Sequence, residues 1–225
     1  AAQVSRQVTV ADTKKPTINM LGNAVIEVEC GQPYADPGAT ATDQCDGDLS
    51  ASITTVNPVN ANTAGAYSVT YNVTDSAGNA AVQRVRTVHV LDETAPTITL
   101  NESAVVTLEC GGTYLDAGAT ATDACAGDLT ASIITTNPVN TGTVGSYTVR
   151  YNVSDANANA ANEVTRIVNV VDSSAPVITL VGDNPATLEC GQLYNDAGAT
   201  ALDACDGDLT NSITTINPVD TGLVG

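Results

Sequence analysis

Apolar and polar side chains alternate along several short segments of the chain. In the clearest segment, Tyr147 to Val153, every second position is tyrosine or valine, and Tyr67 to Val73 has the same pattern. A period of two is typical of a β-strand with one face buried and the other in water. Further strands are predicted at Pro96–Leu100, Val105–Cys110, Ala119–Thr122, Leu129–Thr136 and Val164–Val170. Many short strands separated by Gly, Pro and Asn turns predict an all-β sandwich with almost no helix.

The whole chain repeats itself at one fixed offset, without a gap, so that position 16 matches positions 96 and 176. Equivalent residues recur at Pro16, Pro96 and Pro176, at Tyr34, Tyr114 and Tyr194, and at all six cysteines. Self-similarity at a fixed period indicates an array of equal structural units. We therefore assign residues 1–15 to the last strand of a preceding repeat, 16–95 and 96–175 to two whole repeats, and 176–225 to an incomplete third repeat.

The second repeat carries a run of residues that resembles a known family. It reads CGGTYLDAGATATDACAGDL from Cys110 to Leu129 and is followed by YTVRYNVSDANAN and the linker DSSAP. This pattern resembles bacterial immunoglobulin-like (Ig-like) repeats related to the hyalin repeat, and the resemblance covers the whole chain. It implies tandem Ig-like antiparallel β-sandwiches in a linear array, within a long secreted or surface-anchored protein, and a structural or adhesive role.

Both ends of the chain fall inside a repeat. Residues 1–15 lack the strands that would precede them, and the third repeat stops before its tyrosine strand and its final strand. Unpaired strand edges invite pairing. The expected partners are therefore neighbouring repeats, either in the same, longer chain or in an adjacent chain that exchanges strands and builds a filament.

Composition narrows the class of protein further. The chain has no Phe and no Trp, so its core must come from aliphatic residues and seven tyrosines. Its 25 acidic and 7 basic residues leave a net charge of −18, which disfavours nucleic acid as a partner. No apolar run reaches the length of a membrane span, and the first residues do not form a signal peptide. We expect no membrane insertion within this sequence and an export signal outside it.

The six cysteines fall as one pair per repeat, with the same spacing in every repeat. Because the chain has one His and no C-x₂-C spacing, a zinc site is disfavoured. We therefore predict three disulfides within repeats, Cys30–Cys45, Cys110–Cys125 and Cys190–Cys205. Each would close a short loop and contribute about 3 kcal/mol by restricting the unfolded chain. Disulfides place the protein in an oxidising compartment, either extracellular or at the cell surface.

An acidic loop, DQCDGDL in the first repeat, has two interpretations. Its spacing does not match an EF-hand, but calcium could bind in a looser geometry, with oxygens from Asp43, Asp48 and the linker acid Asp92. Alternatively, the aspartates accept hydrogen bonds from backbone amides within a turn. The candidate calcium ligands are Asp43, Asp48, Asp92, Asp123, Asp128, Asp172, Asp203 and Asp208.

One arginine per repeat, Arg86 or Arg166, occupies a strand position whose neighbours of the same parity are valines. A buried guanidinium without a partner is costly. We expect Arg86 either to lie at a wet rim or to bond a carboxylate such as Asp43 or Asp75, with the paired arrangement favoured.

Three Asn-x-Ser/Thr sequons make Asn72, Asn101 and Asn152 candidate glycosylation sites. A three-residue motif also arises readily by chance in a Thr-rich chain.

The sequence contains no catalytic motif of the serine hydrolase, phosphate-loop, zinc protease or Cys/His type. We therefore expect a non-catalytic protein without a cofactor other than calcium. The leading hypothesis is a stalk or fibre of a surface or adhesive protein. The alternatives are a ligand- or carbohydrate-binding adhesin module and accessory domains of a large secreted enzyme. Sugar sites usually display exposed aromatic rings, and only Tyr34, Tyr114 and Tyr194 lie outside the alternating strands.

Overall fold

A computed structural model describes residues 3–223 of the chain. The first repeat contains seven strands and one single-turn 3₁₀ helix, Ser50–Ser52. The strands are β1 (Thr17–Met20), β2 (Val25–Glu29), β3 (Ala39–Asp43), β4 (Gly47–Asp48), β5 (Thr54–Val56), β6 (Gly65–Asn72) and β7 (Arg84–Leu91). They form two sheets, with strand orders β1-β3-β4 and β2-β7-β6-β5.

The second repeat has the same arrangement. Its strands are β8 (Thr97–Leu100), β9 (Val105–Glu109), β10 (Ala119–Asp123), β11 (Gly127–Asp128), β12 (Ile134–Thr136), β13 (Gly145–Asn152) and β14 (Val164–Val171). The sheet orders are β11-β10-β8 and β12-β13-β14-β9. The segment predicted as one strand from Leu129 is instead a 3₁₀ turn, Thr130–Ser132, followed by the short strand β12.

In the third repeat the structure describes one sheet, in the order β15-β16-β17. Its strands are β15 (Val177–Leu180), β16 (Ala199–Asp203) and β17 (Gly207–Asp208), and the 3₁₀ turn is Thr210–Ser212. Near the start of the chain, residues 3–15 have no assigned strand, and Val4, Val8 and Val10 are exposed. Their pairing in a sandwich of a preceding repeat stays a prediction.

The core of the first repeat lies between its two sheets. Ile18 on β1 and Ala41 on β3 face Val69 and Tyr71 on β6 and Val88 on β7. These side chains alternate with exposed or half-buried ones because successive residues of a strand point to opposite faces. The predicted tandem β-sandwich and the inward face of the tyrosine strand are therefore confirmed.

One strand pairing per sandwich differs from the purely antiparallel prediction. β2 runs parallel to β7, and β9 runs parallel to β14. The chain leaves β1 through a bend at Gly22, whose φ of +72° is in the left-handed region that favours glycine, and crosses to the opposite sheet. It then continues as β2, which lies beside β7 and runs in the same direction as β7.

Close packing divides the chain into two compact units. The first contains the chain up to Thr97, together with Ala121–Ser132 and Val153–Ala161 of the second repeat. The second contains Ile98–Thr120, Ile133–Asn152 and the chain from Asn162 onwards. The junction between the first and second repeats thus lies within the first unit, and the junction between the second and third repeats lies within the second.

Among residues 3–223, the only helices are single 3₁₀ turns, and none has the length and apolar character needed to span a membrane.

Candidate functional site

Arg86 on β7 is among the largest fully buried side chains of the chain. Its guanidinium forms an ion pair with Asp36 and donates a hydrogen bond to the Tyr71 hydroxyl at 2.6 Å. The hydroxyls of Tyr71 and Tyr34 in turn donate to Asp36, at 2.7 and 3.2 Å. The remaining guanidinium donors bond the backbone carbonyls of Asn23, Leu21 and Gly38. Every nitrogen of this side chain is therefore partnered, which is what its burial requires.

The second repeat builds the same cluster from Asp116, Tyr151 and Arg166. The Arg166 guanidinium pairs with Asp116 and donates to the Tyr151 hydroxyl at 2.9 Å, and Tyr151 donates to Asp116 at 2.6 Å. Burial acts to raise the pKa of Asp116, but the hydroxyl donors and the arginine charge outweigh it and lower that pKa. The cluster joins the loop that precedes β10 to the larger sheet. We call these residues the Arg–Asp–Tyr clusters.

The expected partners of Arg86 were wrong, although the expectation of a paired guanidinium is confirmed. Asp43 accepts hydrogen bonds from backbone amides of its own turn, and Asp75 bonds Asn79. The true partner, Asp36, lies in a Tyr-x-Asp motif that recurs at Tyr114–Asp116 and Tyr194–Asp196. That recurrence was the available signal, because an acid with a fixed tyrosine beside it marks a specific hydrogen-bond environment.

The cysteines do not pair as predicted. The two disulfides join successive repeats, Cys30 to Cys125 and Cys110 to Cys205, with Cα–Cα distances of 5.4 and 5.3 Å. Cys45 and Cys190 are exposed free thiols. The prediction of disulfides within repeats, Cys30–Cys45, Cys110–Cys125 and Cys190–Cys205, is therefore wrong.

The strand directions explain why the cysteines pair between repeats and not within them. Cys30 follows β2, and its backbone N–H bonds the carbonyl of Leu91, at the end of the last strand. Cys45 lies in the turn after β3, whose Thr42 is opposite Thr17 at the start of β1. The two cysteines of one repeat thus sit at its trailing and leading ends. The trailing cysteine of one repeat meets the leading cysteine of the next.

Glycine permits this close approach. A Cβ on Gly31, next to Cys30, would lie 3.0 Å from the Cβ of Ala124, and one on Gly111 would lie 3.2 Å from the Ala204 carbonyl oxygen. Both glycines also have a left-handed φ, +82° and +75°. The Cys-Gly pair is thus a packing requirement of the junction.

The linkers between repeats are hydrogen-bonded to the repeat that they leave. The carboxylate of Glu29 accepts from the Glu93 amide and the Thr94 hydroxyl, at 3.0 and 2.6 Å. Glu109 accepts from the amides of Ser173 and Ser174, both at 2.8 Å, and from the Ser173 hydroxyl. The amide and hydroxyl of Ser173 lower the pKa of Glu109 to about 2. Glu109 is therefore ionised at neutral pH and able to accept these linker hydrogen bonds.

Three acidic groups converge at the junction in the first unit, Asp92 of the linker with Asp123 and Asp155 of the second repeat. One carboxylate oxygen of each lies within 4.8 Å of the others. The Asp92 carbonyl also accepts a hydrogen bond from the Asn159 side-chain amide at 3.0 Å. Equivalent groups elsewhere are Asp12 with Asp46 and Asp75, Asp12 with Asp43 and Cys45, and Asp172 with Asp203 and Asp206. We call these the junction acid clusters.

Two features show that these clusters concentrate negative charge and leave some carboxylate oxygens without a partner in the protein. Asp92 Oδ1 and Asp123 Oδ2 are buried without a hydrogen-bond partner, and so are Asp12 Oδ2 and Asp43 Oδ2. Burial, and then the charges of Asp123, Asp155 and Glu29, raise the pKa of Asp92. Burial and the charges of Asp203, Asp206 and Glu109 raise the pKa of Asp172. Orphaned carboxylate oxygens of this kind fit an oxygen-preferring cation.

The candidate calcium ligands divide into two groups. The structure brings Asp92 beside Asp123 and Asp172 beside Asp203, whereas Asp43 meets Asp12 rather than Asp92. The last aspartate of each acidic loop has another role. Asp48, Asp128 and Asp208 each accept a hydrogen bond from the backbone amide two residues later. Those three aspartates have the predicted turn chemistry. Sequence reasoning missed Asp155, which lies outside both the acidic loop and the linker.

The remaining candidate positions have local partners. The side-chain amides of Asn101 and Asn152 donate to the Ala117 carbonyl and to Glu163, and the Asn72 oxygen accepts from Gln83. None of the seven tyrosines is exposed, and the Tyr34 and Tyr114 hydroxyls are bonded to aspartates. The described residues therefore offer no exposed aromatic platform for a sugar.

Comparison with known proteins agrees with the repeat. The chain is 29% identical over 188 residues to hyalin of Strongylocentrotus purpuratus, covering 79% of the chain and 15% of hyalin. It is 30% identical over 218 residues to hyalin of Lytechinus variegatus, covering 90% of the chain and 40% of that protein. The chain thus spans less than half the length of these relatives.

A solved structure of carbohydrate-binding and INT domains from Clostridium perfringens ZmpB, in complex with GlcNAc, is similar over 39% of the chain and 20% of that structure. The identity is 23% and the TM-score 0.29. The family model described as "Bacterial surface protein, Ig-like domain" matches residues 18–90, 98–170 and 178–225, one match per repeat. The chain therefore belongs to the family of Ig-like domains of bacterial surface proteins.

Proposed function

We propose that this chain is a non-catalytic structural part of an extracellular or cell-surface protein, in which linked sandwiches extend a stalk or fibre. The observation that carries the proposal is the construction of the junction. Successive repeats are joined by a disulfide as well as by the peptide linker, and the linker is hydrogen-bonded to Glu29 or Glu109. Such a junction restricts hinge motion, which suits a spacer.

A disulfide-linked design also supports an oxidising location. Disulfides persist outside the cytoplasm, and family membership places related domains at bacterial surfaces. Neighbouring repeats, of the same or an adjacent chain, are the natural partners. Ile178 is 62% exposed, whereas its equivalents Ile18 and Ile98 are buried in their own repeats.

Two alternatives remain as proposals for the parent protein, a sugar-binding adhesin and an accessory part of a secreted enzyme. The buried or half-buried tyrosines count against sugar binding by this chain. Electron microscopy of the native material tests the main proposal. Extended, beaded or filamentous particles are expected, and compact globular particles would contradict it.

The junction acid clusters would hold calcium. Calcium takes oxygen ligands at about 2.3–2.6 Å, so oxygens within 4.8 Å of one another can share one ion. Asp92, Asp123 and Asp155 supply the charge, and the buried Asp92 Oδ1 and Asp123 Oδ2 would gain their missing partner. Because the linker acid and the loop acids come from successive repeats, the ion would strengthen the junction.

We expect EDTA to lower the melting temperature of the calcium-loaded chain. A ligand that binds only the folded state stabilises it by about 2.7 kcal/mol at a hundred times its Kd. Asp92→Asn should reduce this calcium response, since it disables one junction acid cluster and leaves the others. Because it removes repulsion between carboxylates, it should also raise stability in EDTA. Asp128→Asn, outside the cluster, should keep the calcium response. Calorimetry with and without calcium measures both effects, and an unchanged wild-type melting temperature would limit these aspartates to turn chemistry.

A further inference from the structure

The two disulfides share one short segment of chain. Cys125 is bonded to Cys30 of the previous repeat, and Cys110 is bonded to Cys205 of the next repeat. Both ends of segment 110–125 are therefore cross-linked, in opposite directions along the array. A covalent route from the first to the third repeat crosses from Cys30 to Cys125, follows the chain backwards to Cys110, and crosses to Cys205.

We infer that this route is a covalent force path, which carries tension through the array and shields most of each sandwich from unfolding. Segments 31–109 and 126–204 lie outside the route. They include β6, β7, β13 and β14, whose paired strands hold the buried cores. Tension applied to the ends of the chain passes through the disulfides and does not pull these strands apart.

The segment that carries the tension is itself fixed to the sandwich. It contains Asp116, which Arg166 and Tyr151 hold from the larger sheet. It also contains β10, which pairs with β11 and β8 in the smaller sheet. The Arg–Asp–Tyr cluster thus ties the force path to the core that it shields, which gives this buried polar cluster a mechanical role.

The inference deepens the proposed role as a stalk or fibre and rests on it for its biological purpose. Its test is independent of particle shape. If the oxidised chain extended freely while the native material remained filamentous, only the force path would fail. If the native particles were compact while the oxidised chain still resisted extension, the stalk would be contradicted and the force path would stand.

Single-molecule stretching of the whole chain, tethered at its termini by non-thiol linkages, measures the path directly. With both disulfides intact, only residues 1–30, 110–125 and 205–225 can extend, to roughly 230 Å in total. Added reductant should release two further increments, of roughly 220 Å when the first bond opens and roughly 320 Å when the second opens, because segment 110–125 leaves the path with the first bond and returns with the second. An oxidised chain that extends towards its full contour length of roughly 770 Å would overturn the inference.

Matched cysteine variants separate this connectivity from pairing within repeats. Cys30→Ser/Cys125→Ser removes one inter-repeat bond and should lengthen the oxidised chain by roughly 220 Å, because segment 31–109 joins the path while most of segment 110–125 leaves it. Cys45→Ser/Cys190→Ser removes the two free thiols at equivalent positions and should leave the length unchanged. With disulfides inside repeats, each double variant would instead release two increments of only roughly 50 Å each. That result would also overturn the inference.

Discussion

Replacing Arg166 with methionine is expected to lower the free energy of unfolding of the second repeat by about 3–5 kcal/mol, because it leaves a largely buried carboxylate without its cation. Asp116 would keep the hydroxyl donors of Tyr151 and Tyr114. The backbone carbonyls of Ser103, Asn101 and Gly118 would lose a donor. Urea unfolding followed by circular dichroism measures the change.

Arg150→Met is the matched control on the neighbouring strand. Arg150 forms an ion pair with Glu163, but the two side chains are 51% and 37% exposed. Exposed pairs of this kind contribute about 0–1 kcal/mol, so Arg150→Met should be nearly neutral. Should Arg166→Met prevent folding, Asp116→Asn, which leaves an amide able to accept from the arginine, should be the milder change. Equal effects of Arg166→Met and Arg150→Met would contradict the structural role of the cluster.

The Arg–Asp–Tyr clusters show how far sequence reasoning extends into the core. Strand parity placed Arg86 on the inward face because Val88 and Val90 share that face. Parity follows from the period of two along a strand and needs no knowledge of topology. The identity of the partner does need topology, since Asp36 is 50 residues away and reaches Arg86 only after the loop folds over the sheet.

The disulfides illustrate the same limit more sharply. Spacing and the single histidine correctly indicated disulfides rather than metal, and the fixed repeat offset showed which cysteines were equivalent. Equivalence, however, does not distinguish pairing within a repeat from pairing between repeats, because both patterns preserve the period. The choice depends on the parallel β2–β7 pairing, which places Cys30 at the trailing end. Alternating residues predict strands but not the strand order.

The junction acid clusters lie between these cases. The linker and loop acids were chosen as a group from the sequence, but with Asp92 joined to Asp43 and Asp48 of its own repeat. The structure instead places Asp92 beside Asp123 of the next repeat, and Asp172 beside Asp203. Asp155 was missed because it lies far along the chain from the acidic loop, and its carboxylate also bonds Asn159 in its own turn. A residue that caps its own loop can also point a charge towards a neighbouring repeat, and only the three-dimensional arrangement reveals the second role.

Removing the inter-repeat disulfide with Cys30→Ser/Cys125→Ser is expected to destabilise the chain by about 4–5 kcal/mol, since in the chain-entropy model a loop of about 100 residues restricts the unfolded state by that amount. The bond closes a sequence separation of 95, whereas a bond within a repeat would close only a short loop worth about 3 kcal/mol. The urea m-value should also rise, because an unfolded chain without the cross-link exposes more surface.

The free thiols supply the control for this experiment. Cys45→Ser/Cys190→Ser changes the same residue type at equivalent positions but removes no bond, so stability should stay within about 0.5 kcal/mol of the wild type and the m-value should not change. Reductant should abolish the difference between the wild type and Cys30→Ser/Cys125→Ser, because it opens the same bond. If instead the Cys45→Ser/Cys190→Ser variant lost stability and the reductant affected both variants equally, the leading and trailing cysteines of one repeat would have to be bonded, and the junction would rest on its hydrogen bonds alone.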